Sequence, residues 1–268
     1  MIKNLISSLL AHRVLVYQLT RRNVIGRYRG SVIGIAWSLL IPMLMLAVYT
    51  LVFGYIFSIR RSGEATAGPN LDFAAFLFSG IVVHGFLAEC LNRAPGLVTN
   101  NSQYVKKIVF PLQCLSWVAL FTALFQTTIS VIILVIFLWF LNGEVHLTTL
   151  LLPIIFAPLI LLASGIVWFL SAISVFVRDF GQIVGVLVTM MLFLSPVFYP
   201  IEILPPLFQQ LLYLNPISFI IEQLRTVTLD GELPDWQGLL IYTGVALVVS
   251  MAGFATFQKF RRGFADVL

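Results

Sequence analysis

Charge is what this sequence has least of. Asp, Glu, Lys and Arg make up only 10% of its 268 residues, against about a quarter in soluble domains. No polar stretch is long enough to fold as a soluble catalytic domain. Cysteine is nearly absent. Cys90 and Cys114 flank the same polar loop, are too few for a disulfide framework, and read as small buried thiols. There is no G-x-x-x-x-G-K-[ST] phosphate loop, so the chain does not bind ATP by that route. H-E-x-x-H, G-x-S-x-G and cysteine clusters are missing too, so no catalytic residue and no metal ligand is expected. The six apolar cores drawn below are read as free of Asp, Glu, Lys and Arg. An intramembrane carboxylate is the usual signature of proton- or sodium-coupled transport, and its absence argues against that class. Any uphill work then draws its energy from another polypeptide. No cleavable signal peptide is expected, because His12 and Arg13 break the first apolar run and no small-residue cleavage site follows.

What is present is hydrophobic. Apolar residues make up 60% of the chain and the mean hydropathy is +1.01. The fold class expected is all-α, a polytopic membrane protein with one transmembrane domain over 1–268. Six spans are drawn at 33–57, 73–91, 112–141, 150–177, 182–199 and 237–258, each close to the ~20 apolar residues a bilayer requires. Basic residues set the orientation. Thirteen of the 16 lie before span one, between spans two and three, between four and five, or after six. The positive-inside rule therefore puts both termini in the cytoplasm. Arg60 and Arg61 run against it and are outvoted.

Residues 1–30 read as a cytoplasmic interface helix followed by a basic segment. Ile2, Leu5, Ile6, Leu9 and Leu10 recur at helical spacing among polar residues. The loop 92–111 is the longest internal cytoplasmic segment. Pro95 is suited to start a short helix there, and Phe110-Pro111 to open span three. Such a helix is a natural docking element, although an ordinary connector fits the same residues.

The segment 182–225 carries the most information. Its apolar run breaks at Ser195-Pro196, and Pro200, Pro205, Pro206 and Pro216 follow. Proline removes a backbone donor and stops a helix. Residues 200–224 therefore read as a periplasmic re-entrant segment, two half-helices that dip into one leaflet. Irregular backbone at that depth needs protein or water around it, which points to a lined pathway. Glu222 and Arg225, at i,i+3, read as a helix-surface pair at the outer interface. Arg178-Asp179 reads as a local pair or a partner contact. His84 reads as a hydrogen-bonded packing residue, and His12 and His146 as solvated.

Four segments together suggest a family: RYRGSVIGIAWSLLIP (27–42), KKIVFP (106–111), VRDFGQI (177–183) and SPVFYPIEILPPLFQQLLYLNPISFIIEQLR (195–225). They resemble the membrane subunit of ABC-2 type polysaccharide exporters, most of all O-antigen export permeases. Capsule and teichoic acid permeases are close relatives. The resemblance implies a permease dimer enclosing a channel in the bacterial cytoplasmic (inner) membrane. It implies two separate ATPase subunits that bind ATP and Mg, no cofactor in this chain, and no nucleic-acid partner. The cargo implied is a polysaccharide on undecaprenyl pyrophosphate, moved from cytoplasm to periplasm.

The same resemblance implies roles for residues. Arg93, Pro95, Asn100, Asn101, Tyr104, Lys106 and Lys107 would form the ATPase coupling segment. Pro196, Pro200, Pro205, Pro206, Asn215 and Pro216 would form the periplasmic gate. Sugars bind aromatic faces, which makes Trp37, Tyr49, Phe193, Phe198 and Tyr199 candidates to line the channel, although most aromatics of such a chain pack or face lipid. Arg21, Arg22, Arg27 and Arg29 either capture the pyrophosphate head group, as arginine forks can, or anchor the chain to anionic lipid. Competing classes are a membrane enzyme acting on lipid-linked glycans, a passive channel or scaffold, and an ABC-2 exporter of drug or lipid. The enzyme needs acid, base or metal groups that the loops do not supply in consistent places.

Overall fold

The computed structural model describes residues 10–56, 71–106, 110–213 and 215–268. These form helices and connecting loops, with no strand among the described residues. Helix α1 spans Arg13–Arg27, α2 Trp37–Tyr49, α3 Leu71–Arg93, α4 Gly96–Thr99 and α5 Ser102–Lys106. Helix α6 spans Cys114–Asn142, α7 Leu152–Ile173 and α8 Phe180–Phe193. Helix α9 spans Pro206–Tyr213, α10 Ser218–Arg225, α11 Trp236–Phe260 and α12 Phe264–Val267.

Among the described residues, five helical stretches are long and apolar enough to cross a membrane: Gly34–Phe53, Leu71–Arg93, Cys114–Asn142, Leu147–Ile173 and Trp236–Val267. The protein is a multi-pass membrane protein. Expected span five, 182–199, is corrected. Its helix runs Phe180–Phe193, only 14 residues, or about 21 Å at 1.5 Å per residue. Pro196 disfavours the helical region for Ser195, and the chain leaves the helix at Leu194 although its sequence stays apolar. A second expectation is corrected with it: span two is not free of charge. Glu89 lies inside α3, one turn before Arg93.

Of the expected interface helix, residues 1–9 lie outside the described residues. The expected basic segment is helical for most of its length. RRNVIGR continues α1 to Arg27, and α1 buries Val16, Leu19 and Val24 as it packs on α6. Glycine explains the turn into the first span. Gly30 and Gly34 both hold positive φ, +91° and +61°, a conformation open to glycine and costly for other residues.

Helix α3 is the most enclosed of the spans, and α6, α7 and α8 pack around it. The closest helix pair is α7 with α11. Gly165 faces Gly253, and a Cβ on either would run into the other helix's backbone. Ser164 and Ser250 share a hydrogen bond between their hydroxyls at 3.0 Å beside that crossing. Without a hydrophobic drive between helices in lipid, small residues that permit close van der Waals packing hold such pairs together. By contrast α2 is mostly exposed. An apolar cleft of about 730 Å³ separates it from α6, walled by Leu46, Thr50, Ile133, Phe137 and Phe140.

Candidate functional site

Two polar clusters stand out, one at each end of the bundle. The first is at the basic end, where α1, α4, α5 and the chain's C-terminal helix meet. Helices α4 and α5 form a short helical pair between α3 and α6. Pro95 caps the start of α4, which suits a residue with fixed φ and no N–H. Asn101 Nδ2 donates to the Leu97 carbonyl at 2.9 Å. The Tyr104 ring stacks on Phe110 at 4.6 Å and 15°. Arg22 Nη2 donates to the Tyr104 hydroxyl at 3.1 Å, so α1 is tied to α5.

A second tie is ionic. Arg27 and Arg93 both donate from Nη2 to the same oxygen, Glu89 Oε1, the Arg93 contact at 2.9 Å. Burial works against the Arg27 charge, but Glu89 outweighs it and holds the guanidinium above its ordinary pKa. A third contact joins α1 to the membrane core: Tyr28 donates to Gln126 Oε1 at 3.2 Å, and Gln126 Nε2 donates to the Ser38 carbonyl at 2.8 Å. The C-terminal helix closes this end. Phe264 is buried against Phe176 and Phe257, and Gln258 Nε2 donates to Gln113 Oε1 at 2.7 Å.

The second cluster sits where α8 breaks. Ser195 and Pro196 are buried. Asn215 Nδ2 donates to the Leu194 carbonyl at 3.0 Å and to Ser195 Oγ at 2.8 Å. Its Oδ1 accepts from the Ile217 amide. Tyr242 of α11 donates to the Pro216 carbonyl at 2.6 Å. The turn between α9 and α10 is thus pinned to both α8 and α11. A cavity of about 530 Å³ opens under α9, walled by Met191, Tyr199, Phe208, Leu211 and Asn215. Beside it α10 carries Arg225, which is 7% exposed. The expected Glu222–Arg225 surface pair is corrected: Arg225 turns away from its own helix and into α3. Nε donates to Ser79 Oγ at 3.2 Å, and Nη2 to the carbonyls of Phe76 and Val197 at 3.1 and 3.2 Å. Burial lowers its pKa to about 9, with Glu222 and Glu202 opposing, and it stays charged at neutral pH. Glu222, Glu202 and Asp230 line a neighbouring cavity of about 390 Å³.

The residues singled out from sequence fall as follows. Arg21, Arg22, Arg27 and Arg29 are all exposed at the basic end, but Arg22 and Arg27 are engaged with Tyr104 and Glu89. Arg93, Pro95, Asn100, Asn101 and Tyr104 lie together there. Lys106 ends α5, and Lys107 lies outside the described residues. Phe193, Phe198 and Tyr199 converge: the two Phe rings stack at 5.9 Å, and the Tyr199 hydroxyl donates to the Phe193 carbonyl at 3.0 Å. Trp37 and Tyr49 stand apart from them on α2, Trp37 donating to Ser31 Oγ and Tyr49 beside Phe53. Pro205 and Pro206 are exposed at the start of α9, while Pro200 and Pro216 are half-buried. Arg178 and Asp179 are exposed, and no ion pair joins them among the described residues. His84 Nε2 meets the Val188 carbonyl at 3.1 Å. Glu89, Gln126 and Tyr242 were not singled out. Glu89, a lone acid four residues before Arg93 at the end of an apolar run, was the readable signal.

Comparison with known proteins follows the same outline. Residues 14–229 match the family model described as ABC-2 type transporter. An O-antigen export system permease protein RfbA from Klebsiella pneumoniae is 25% identical over 257 residues, covering 95% of each chain. A protein of the same description from Myxococcus xanthus is 25% identical over 264 residues, 98% of each. The polysialic acid transport protein KpsM of Escherichia coli is 22% identical over 252 residues, 92% of this chain and 95% of that one.

Proposed function

The chain belongs to the ABC-2 type transporter family, and from that premise we propose that it is the membrane subunit of an ATP-driven exporter of surface polysaccharide, with O antigen its cargo. The cargo travels on undecaprenyl pyrophosphate from cytoplasm to periplasm, through a channel formed by two copies in the bacterial inner membrane. Two separate ATPase subunits bind ATP and Mg and supply the energy. The observation that carries this reading is the end-to-end similarity to O-antigen export permeases.

In this reading both termini and the basic end face the cytoplasm. Helix α8 serves as the sixth membrane element, and α9–α10 form the re-entrant periplasmic hairpin. Helices α4 and α5 dock in the ATPase. Motion there reaches α1 through Arg22–Tyr104 and Arg27–Glu89, and reaches the first span through Tyr28, Gln126 and Ser38. Arg27 and Arg29 receive the pyrophosphate group at the channel mouth. Phe193, Phe198 and Tyr199 offer ring faces near the outer end, suited to sliding sugars because stacking is weak and tolerant of sequence. The hairpin turn pinned by Asn215 gates the exit.

Deleting the gene tests the cargo. Loss of surface polysaccharide with unchanged drug tolerance, restored by the intact gene, is expected. Retained polysaccharide rejects the reading. The KpsM relative favours a second cargo, a polysialic acid-like polymer, which immunoblotting of both polymers separates.

A further inference from the structure

We propose that Glu89 is a resident carboxylate in an anion site built by Arg27 and Arg93, and that a diphosphate ester displaces it from those guanidiniums. The proposal rests on the reading that the cargo carries a diphosphate head. It adds Arg93 and Glu89 to the site, and it moves Arg93 from the ATPase-docking set to cargo binding.

The geometry is that of an occupied anion site. Two guanidiniums from different helices converge on one oxygen, Oε1 of Glu89. Helix α3 supplies Glu89 and Arg93 at i,i+4, and α1 swings Arg27 in from the side. The three groups sum to a net positive charge, so the carboxylate does not neutralise its partners. Arg22 lies on α1 upstream and Arg29 just past its end. The side chains of Arg27 and Arg93 are 35% and 28% exposed, and that of Glu89 only 19%. An arriving anion therefore meets the guanidiniums before the carboxylate.

Chemistry favours exchange. Arginine binds phosphate oxygens through a planar fork, and each Arg here spends only one nitrogen on Glu89. A diphosphate carries more charge than one carboxylate and has enough oxygens to bridge both forks. Glu89 sits one turn before the end of its span, next in the chain to the short helices α4 and α5, so its release does not strand it in hydrocarbon. Displacing Glu89 also unties α1 from α3, which links head-group binding to the helix that contacts Tyr104.

The test uses the permease with its ATPase partner in nanodiscs of zwitterionic lipid, and farnesyl diphosphate as the probe. Glu89→Gln removes the resident charge and should bind the probe about tenfold more tightly, while Arg93→Gln and Arg27→Gln should each bind it about tenfold more weakly. Arg93→Lys, which keeps charge but loses the fork, should fall between wild type and Arg93→Gln. Arg262→Gln, exposed on the same face of the membrane, should match wild type. Farnesyl monophosphate and phosphatidylglycerol should compete poorly. Unchanged or weaker binding by Glu89→Gln overturns the displacement, and unchanged binding by Arg93→Gln removes Arg93 from the site. If Arg27→Gln alone weakens binding, this inference fails and the head-group reading stands. If no variant changes binding, both fail. Equal competition by phosphatidylglycerol would make the site one for membrane lipid and reject the diphosphate.

Discussion

The guanidinium carbon of Arg225 lies 3.4 Å from the ring centroid of Phe76, and its Nη2 donates to the carbonyl of the same residue. One side chain thus holds α10 to α3 through a ring face and a backbone oxygen. With its further bond to Val197 it also fixes the chain that leaves α8. Ser79 and Gly80 make this possible by being small: a Cβ on Gly80 would sit 3.0 Å from Arg225 Nη2 and from Val197 Cα.

Replacing Arg225 by Ala should therefore cost about 3 kcal/mol, because charge-assisted bonds and a desolvated cation–π contact go together. Arg225→Lys should recover only part, since an ammonium cannot reach three acceptors in one plane. Gly80→Ala should cost about 1–3 kcal/mol by overpacking. Thermal unfolding in detergent reads all three. A wild-type midpoint for Arg225→Ala would mean the cluster is not a strut.

The crossing of α7 and α11 makes a sharper demand. Gly253→Ala places a methyl group against the Gly165 carbonyl, and backbone cannot rotate away as a side chain can. We expect a loss of about 3 kcal/mol, at the upper end for overpacking. Ser250→Ala should cost about 1 kcal/mol, the net worth of one hydrogen bond. Yield and unfolding midpoint of the purified variants check the order.

Tyr104→Phe isolates the link between α1 and the proposed docking helices. It removes the hydroxyl that Arg22 reaches and leaves the ring on Phe110. ATP hydrolysis should persist while export falls about fivefold, the equivalent of one hydrogen bond of about 1 kcal/mol. Arg22→Ala should give the same defect, and the double variant no more. Additive losses would show that the two residues act separately.

Glu222 lies outside the five long spans, in the cavity with Glu202 and Asp230. Burial, then Glu202, raises its pKa to about 7. A carboxyl whose folded pKa is raised binds its proton more tightly when folded. Stability is therefore greatest at low pH and declines as pH rises from its ordinary value of 4.5 through about 7. Glu222→Gln should raise the unfolding midpoint by about 2–4 °C at pH 8 and leave it unchanged at pH 4. The same gain at both pH values would place the effect elsewhere.

Long apolar helices overlap spans two, three, four and six as drawn, because hydropathy and helix run together there, although the helix of span four stops at Ile173. The two part after Phe193, where LSPVFYP stays apolar without being helical, so hydropathy alone carried span five too far. Proline punctuation marks where the short helices α9 and α10 begin. The second of them runs on through Arg225 because Ile220, Ile221 and Leu224 bury one face of α10, which the prolines do not encode. Arg225 was misassigned since sequence spacing points to Glu222, while its true acceptors are carbonyls and a serine on a distant span. At the basic end the residue types were readable, but the partner of Arg27 was not. Glu89 is 62 residues away, and only the packing of α1 on α6, which itself packs on α3, brings it near. The aromatic candidates divide for a related reason. Phe193, Phe198 and Tyr199 are joined by the break in α8, whereas Trp37 and Tyr49 share only a helix.

The most direct test of an exporter powered in trans is a pull-down from native membranes in mild detergent, with this chain tagged at its C-terminus. A near-equimolar partner carrying a phosphate-binding loop, in a complex whose ATPase activity rises with lipid-linked polysaccharide, is the expected result. A homogeneous complex that contains no ATPase would contradict it.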